Sequence, residues 1–290
     1  MRFLLKLICI LAIPAAATAA DSVIVVQGNI SPLNIVPTFD HGYLAVYEDG
    51  GFSVYAPDGS PAMKIASEAA TYAENVDIEP DGSVAAAVFV NTPGPRTGVI
   101  RIFNPDGSVA GRIATGTYLP SHVCFAPDHS IWTLGNEERQ SPGNYADYFL
   151  LRHYSRSGEL LGQFLSRSTF PAEAHAGQVM VGLWALRIAG GRIGALMRNA
   201  GEKMRSLWLE SDLQGQETGR WITSGGTPAA MTESGAVYAQ NSEGISVLDR
   251  ASGSWKRVPQ SSNDILLGAE GNALVFEVKG MNRIRRAAQP

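Results

Sequence analysis

The chain has 290 residues, of which 45% are hydrophobic and 17% are charged, and its formal net charge is −4. This composition is typical of a globular protein and excludes a disordered or collagen-like chain. The mild excess of acidic residues argues against a chain-wide basic surface, so we expect no nucleic-acid partner.

Residues 1–20 have the pattern of a cleavable signal peptide. Arg2 and Lys6 precede an apolar run, and Ala17-Thr18-Ala19 supplies the small residues that precede a cleavage site. A retained membrane anchor is the alternative, but the run after Lys6 has only about 14 residues, short of the ~20 that span a bilayer. We therefore expect a periplasmic or secreted protein whose mature part, residues 21–290, is a single domain without a transmembrane segment.

Short β-rich runs recur along the mature part, joined in pairs by tight turns such as Pro57-Asp58-Gly59, Pro80-Asp81-Gly82 and Pro105-Asp106-Gly107. Proline presets the first turn position and glycine accepts a positive φ, so each pair is a predicted hairpin. Hairpins that are apolar on both faces alternate with hairpins that are polar on one face. An inner buried hairpin followed by an outer, half-exposed one is typical of a propeller blade.

Counting these pairs predicts an all-β, six-bladed β-propeller with about 45 residues per blade. The sixth blade begins at Asp264 and lacks a fourth strand, which Ser22–Gln27 is placed to supply. The N-terminal strand would then pair with the C-terminal blade and close the ring, leaving no open sheet edge. Seven blades and a two-sheet sandwich are the alternatives; the sandwich does not explain the alternating hairpin types. The predicted blades cover residues 31–66, 75–113, 122–164, 184–221, 228–258 and 264 onward.

Residues 119–132 and 149–164 resemble the inner and outer halves of an NHL-type repeat, as found in gluconolactonase-like six-bladed propellers. The resemblance depends on turns and apolar spacing and covers most of residues 31–258. It implies the fold; propellers of this shape include metal-dependent lactonases, peptide-binding modules and adaptors, so it does not select one function.

In such a ring the tight turns lie on one face, and the longer links between hairpins and between blades lie on the other, which we call the link face. Variable loops on a rigid scaffold are the usual place for binding, so the sequence predicts a site on the link face at the channel mouth. The candidates lie at or near the starts of innermost strands, with Trp184 as a possible aromatic platform: Glu74, Asn75, Asp77, His122, Trp184, Arg187 and Asp264.

Two functions from different classes remain open. The first is a non-catalytic binding or scaffolding module, a monomer without a cofactor, that recognises a protein or a small molecule. The second is a lactonase-like hydrolase, in which Glu74, Asn75 and Asp264 would hold a divalent cation such as Ca²⁺ as a Lewis acid. Cys124, the one cysteine of the mature part, is interpreted as a small buried apolar residue rather than a nucleophile.

Overall fold

The structure is a computed structural model that describes residues 23–25, 38–48, 50–91, 93–138, 147–169, 182–198, 206–223, 229–241, 243–259, 264–278 and 283–287. Its 24 strands form six four-stranded antiparallel sheets. The fold is therefore the predicted six-bladed propeller. In the described ranges the one helical segment is a 3₁₀ turn at Arg167–Thr169, and no helix is long and apolar enough to cross a bilayer.

Each blade runs from an innermost strand beside the central channel to an outermost strand. Blade 1 consists of β2 (Thr38–Asp40), β3 (Tyr43–Glu48), β4 (Gly51–Tyr55) and β5 (Pro61–Ile65). Blade 2 consists of β6 (Thr71–Ile78), β7 (Val84–Val90), β8 (Thr97–Phe103) and β9 (Val109–Gly116). Blade 3 consists of β10 (Tyr118–Phe125), β11 (Ile131–Glu137), β12 (Phe149–Tyr154) and β13 (Leu160–Ser166). Blades 4 and 5 consist of β14 (Gly182–Ala189), β15 (Arg192–Arg198), β16 (Ser206–Asp212), β17 (Glu217–Thr223); and β18 (Ala229–Met231), β19 (Val237–Asn241), β20 (Gly244–Asp249), β21 (Ser254–Arg257).

The sixth blade is built from both ends of the chain. Its three inner strands are β22 (Ile265–Glu270), β23 (Ala273–Val278) and β24 (Arg283–Ala287), and its outermost strand is β1 (Val23–Val25). β1 pairs antiparallel with β24, with Ile24 opposite Ile284. The N-terminal strand thus occupies the position that the sequence predicted for it.

The core is divided among the six junctions between neighbouring blades. Every junction, including the one between blades 6 and 1, contains its own cluster of buried apolar side chains. The alternation of β7 shows how one strand serves two junctions: Val84, Ala86 and Val88 pack toward blade 1, whereas Ala85 and Ala87 pack toward blade 3. Small residues suit these inner positions because blades approach one another most closely near the channel.

The tight turns form for the reason that the sequence suggested. In three of them an aspartate carboxylate accepts the backbone N–H of a serine two residues later, at 2.8 to 2.9 Å, and the pairs are Asp58 with Ser60, Asp81 with Ser83, and Asp106 with Ser108. Gly59, Gly82 and Gly107 have φ of 83°, 87° and 82°, the left-handed region where a side chain is disfavoured.

The predicted blades start later than the observed ones in blades 2, 3 and 4. The innermost strands begin at Thr71, Tyr118 and Gly182 rather than at residues 75, 122 and 184. Each of these strands contains a β-bulge, between Ala73 and Asn75, between Pro120 and His122, and between Leu183 and Ala185. The extra residue breaks the period-two alternation on which the prediction depended.

Deleting Val23–Val25 should lower the melting temperature by about 5 °C or more, because β24 keeps β23 but loses its outer neighbour and becomes an open edge. Thermal unfolding of the purified protein measures this. Deleting residues 288–290 is the matched control, since it removes three residues from the other end and leaves β24 whole. Equal melting temperatures for the two deletions would contradict closure by β1.

Candidate functional site

A cavity of about 400 Å³ lies at one mouth of the central channel, and all six blades line it. Its walls are the last residues of the innermost strands and the first residues of the inner turns, and they include Asp40, Asp77, Cys124, Arg187, Met231 and Glu270. The volume is within the range of small-molecule sites. We call this space the channel-mouth cavity.

The channel-mouth cavity opens beside the inner turns, at the opposite end of the channel from the link face that the sequence favoured. The inner strands run from the links toward these turns, so residues near their ends, not their starts, surround the cavity. Much of the link face, including residues 139–146, 170–181 and 224–228, lies outside the described residues.

Two aspartates from neighbouring blades meet in the channel-mouth cavity. Asp40 is the last residue of β2, and its Oδ1 accepts the N–H of His41 at 2.9 Å. Asp77 is buried in β6, and its Oδ2 accepts the N–H of Phe125 on blade 3 at 2.7 Å. The two carboxyl groups are close enough for each to shift the pKa of the other, and a hydrogen bond between them would require one of them to carry a proton.

The environment favours this shared proton. Burial, opposed in part by the positive charge of Arg187, raises the pKa of Asp40 to about 6. Burial, and after it the negative charge of Asp40, raises the pKa of Asp77 well above its usual value. Two carboxylates in contact repel each other, and one proton between them removes that repulsion.

Arg187 reaches across the channel from blade 4. Its Nη1 donates to the carbonyl oxygen of Leu186 at 2.9 Å, and its Nη2 donates to that of Leu267 on blade 6 at 3.5 Å. Its charge lowers the pKa of both Asp40 and Asp77. The guanidinium and the carboxyl pair are therefore parts of one electrostatic unit.

Cys124 lies beside this unit as a packing residue. Its Sγ donates a hydrogen bond to the carbonyl oxygen of Leu186 at 3.2 Å, and its side chain belongs to the core between blades 3 and 4. Burial, and then the charge of Asp77, raises the pKa of the thiol well above its usual value. The thiol is protonated at neutral pH and is a poor nucleophile, which agrees with the sequence interpretation.

Acidic side chains continue around the rim of the cavity. Glu79 is buried, and it pairs with His129 at 2.6 Å and with Arg156 of blade 3. Glu270 pairs with Arg286, and Glu233 lines the cavity from blade 5. These pairs fix the rim, while Arg187 is the one arginine or lysine in the described lining.

Of the candidates chosen from sequence, the structure brings Asp77 and Arg187 into the channel-mouth cavity. Glu74 lies at the bulge of β6 and His122 lies in β10, and neither lines the cavity. Trp184 falls at the bulge of β14, and its side chain lies outside the described part of the structure.

Asn75 and Asp264 have structural partners. The amide oxygen of Asn75 accepts the N–H of Val123 at 3.1 Å, and its Nδ2 lies 3.5 Å from Oγ1 of Thr38. Asp264 forms an ion pair with Arg285 at 3.0 Å. Within the described ranges no three His, Cys, Asp or Glu side chains form a group able to hold a metal ion.

Sequence reasoning did not include Asp40 among the candidates. A signal was present: Asp40 and Asp77 both lie near the end of an innermost strand, immediately before an inner turn. Because the ends of all innermost strands meet at the inner-turn face, this pattern predicts that the two carboxyl groups lie at the same mouth of the channel.

Comparisons with known proteins support the fold and go no further. No protein-family model matches the chain, and no curated protein matches it. Some solved structures are similar. The WD40 domain of Neurospora crassa Pan2 has 11% sequence identity and a TM-score of 0.52, over 86% of this chain and 73% of that one. A chain of a mitotic checkpoint complex has 11% identity and a TM-score of 0.50, over 100% of this chain and 99% of that one. A Bacteroides caccae protein of unknown function has 13% identity and a TM-score of 0.47, over 75% of this chain and 77% of that one.

Replacing Asp77 with asparagine should stabilise the fold more at pH 8 than at pH 5. Because the pKa of the acidic pair is raised on folding, the folded state holds more protons, and stability falls as pH rises from about 4 past 6. The amide keeps an oxygen for the N–H of Phe125 and removes the need to ionise. The melting-temperature difference between Asp77→Asn and the original protein, measured at both pH values, tests this.

Asp106→Asn is the control for this measurement. Asp106 lies in an exposed outer turn, where hydrogen bonds from Ser108 lower its pKa. Both pH values lie above the pKa of this carboxyl group, so its replacement should change the melting temperature by the same amount at pH 5 and at pH 8. If the melting-temperature difference from the original protein were independent of pH for both variants, a shared proton between Asp40 and Asp77 would be excluded.

Proposed function

We propose that this protein is an exported binding propeller that holds a small molecule, or a protruding group of a protein, in the channel-mouth cavity. The observation that carries the proposal is the cavity itself: about 400 Å³, lined by all six blades, with a carboxyl pair and a guanidinium at its wall. A few polar groups in a largely preformed concave space are what ligand sites require.

The chemistry of the cavity supports binding rather than turnover. Asp40, Asp77 and Arg187 are donors and acceptors held by backbone groups, and the adjacent thiol of Cys124 is protonated. The lactonase-like hydrolase stays a prediction, as does the NHL-type relationship. The oxygens proposed as its ligands on Asn75 and Asp264 already accept hydrogen bonds from Val123 and Arg285.

Export is part of the proposal and has its support in the N-terminal sequence. The basic residues, the short apolar run and Ala17-Thr18-Ala19 form the pattern that a signal peptidase recognises. Cleavage near Ala20 or Asp21 would leave β1, which begins at Val23, intact for closure of the ring.

Filling the channel-mouth cavity should abolish binding without unfolding the protein. Ala189 ends β14 and lines the cavity, so Ala189→Trp places an indole in the space a ligand needs. Thermal-shift measurements test this with a panel of amines, carboxylates, amino acids and monosaccharides. Some of these compounds should raise the melting temperature of the original protein by 2 °C or more. The same compounds should raise the melting temperature of Ala189→Trp by less than a quarter of that amount.

Leu161→Trp serves as the matched control, because Leu161 is exposed on the outermost strand of blade 3. It should respond to the same compounds as the original protein. If no compound stabilises the original protein, or if Ala189→Trp responds equally, the cavity is not the binding site.

Expression of the full chain in a Gram-negative host should give a processed protein in the periplasmic fraction. N-terminal sequencing should find the first residue at Ala20 or Asp21, because the small residues at 17 and 19 precede that bond. Replacing Ala17 and Ala19 with Arg should block processing. Recovery of the intact N-terminus from the cytoplasm would refute export.

A further inference from the structure

We propose that the channel-mouth cavity selects a small organic cation, whose ammonium or guanidinium group lies between the carboxyl groups of Asp40 and Asp77. The inference rests on the proposed function, since it names the class of ligand for the same cavity. Its support comes from the charge of the lining, the exposure of the two carboxyl groups and the chemistry of their contact.

The lining carries an excess of acidic side chains. Five carboxyl side chains come from four blades, and Arg187 is the one arginine or lysine among the described lining residues; the carboxyl groups are those of Asp40, Asp77, Glu79, Glu233 and Glu270. Glu79 and Glu270 are balanced by Arg156 and Arg286, which lie outside the lining. With one proton shared by Asp40 and Asp77, the remaining three carboxyl groups carry two formal negative charges against the one positive charge of Arg187. An anionic ligand would add charge to this excess, whereas a cation would reduce it.

The carboxyl pair is buried at one side and open at the other. Asp77 is 8% exposed and is held by the N–H of Phe125, while the side chain of Asp40 is 31% exposed and is held by the N–H of His41. Among the described contacts each carboxyl group thus uses one oxygen for a backbone donor. Both side chains line the cavity, so a ligand in the cavity can reach their carboxyl groups.

The contact between the two carboxyl groups is the chemical reason for choosing a cation. Without a ligand, a proton must lie between them because two adjacent carboxylates repel. An ammonium group supplies both the missing positive charge and up to three N–H donors, so it can replace that proton and bridge both carboxylates. Binding then releases one proton to the solvent.

The rest of the cavity sets further requirements on the ligand. Arg187 faces the carboxyl pair from blade 4, so the positive charge of the ligand must lie on the side of Asp40 and Asp77. Ile188, Ala189 and Met231 give an apolar wall for a hydrocarbon part. A monocation with a short hydrocarbon body satisfies both conditions.

Proton release makes the affinity depend on pH. The groups that face the pair are His41 on blade 1, Cys124 on blade 3, Arg187 on blade 4, Glu233 on blade 5 and Glu270 on blade 6. Below pH 6 a second proton, on Asp40, also competes with the ligand. The affinity for a cation should therefore rise by up to tenfold per pH unit while the pair holds its shared proton, and level off above the raised pKa of Asp77.

Isothermal titration calorimetry with three probes of equal shape tests the inference: benzylamine, benzyl alcohol and benzoate. At pH 7.5, benzylamine should bind the protein without its signal peptide at least tenfold more tightly than benzyl alcohol or benzoate does. Titrations in buffers of different ionisation enthalpy should show release of close to one proton. The smaller set of n-butylamine, n-butanol and butyrate repeats the comparison if the aromatic ring is too large.

Asp77→Asn should weaken benzylamine binding at least tenfold and abolish proton release, whereas the exposed-turn variant Asp106→Asn should bind like the original protein. Asp40→Asn, on the neighbouring blade, makes the same test if Asp77→Asn does not fold. If benzoate, or both benzyl alcohol and n-butanol, bound more tightly than the corresponding amines, the ligand would not be a cation, although the binding function would stand. Absence of binding by all six probes overturns the cation, and the Ala189→Trp comparison then decides the binding function separately.

Discussion

The innermost strand of every blade has one edge that none of the described strands pairs, and the structure is arranged around that edge. Backbone N–H groups that face the channel still require acceptors. On blade 3 they find them in side chains of blade 2, since Val123 donates to Asn75 and Phe125 donates to Asp77. On blade 6 the N–H of Leu266 donates to Gln240 of blade 5. Polar side chains are therefore needed inside the ring for structural reasons, and this requirement also places a carboxyl group at the channel mouth.

The same geometry explains why structural and binding roles are mixed in the cavity. Asp77 is held by a backbone donor of the next blade, yet the same carboxyl group interacts with Asp40. Arg187 is held by carbonyl groups of blades 4 and 6, yet its charge acts on the carboxyl pair of blades 1 and 2. Each group is fixed by contacts that a ligand would not have to disturb, so a site of this kind is preorganised.

The sequence predicted the blade number, the turns and the closing strand because those signals are local. Pro-Asp-Gly turns and period-two alternation each arise within a few residues, and the unpaired segment Ser22–Gln27 follows from counting strands. The early starts of β6, β10 and β14 were missed because bulges interrupt the alternation. The meeting of Asp40 with Asp77 depends on how two blades pack, 37 residues apart in sequence, and no local pattern encodes such a contact.

The pairing of β1 with β24 also has a consequence for how the chain folds. The first strand of the structure cannot find its partner until the last strand has been synthesised, so the contact with the highest sequence separation is also the one that completes the ring. Until then Val23-Ile24-Val25 is an apolar segment without its strand neighbour, and a chain with only the first five blades formed would carry open sheet edges. Open edges of this kind favour self-association, so completing the ring also protects the chain from aggregation.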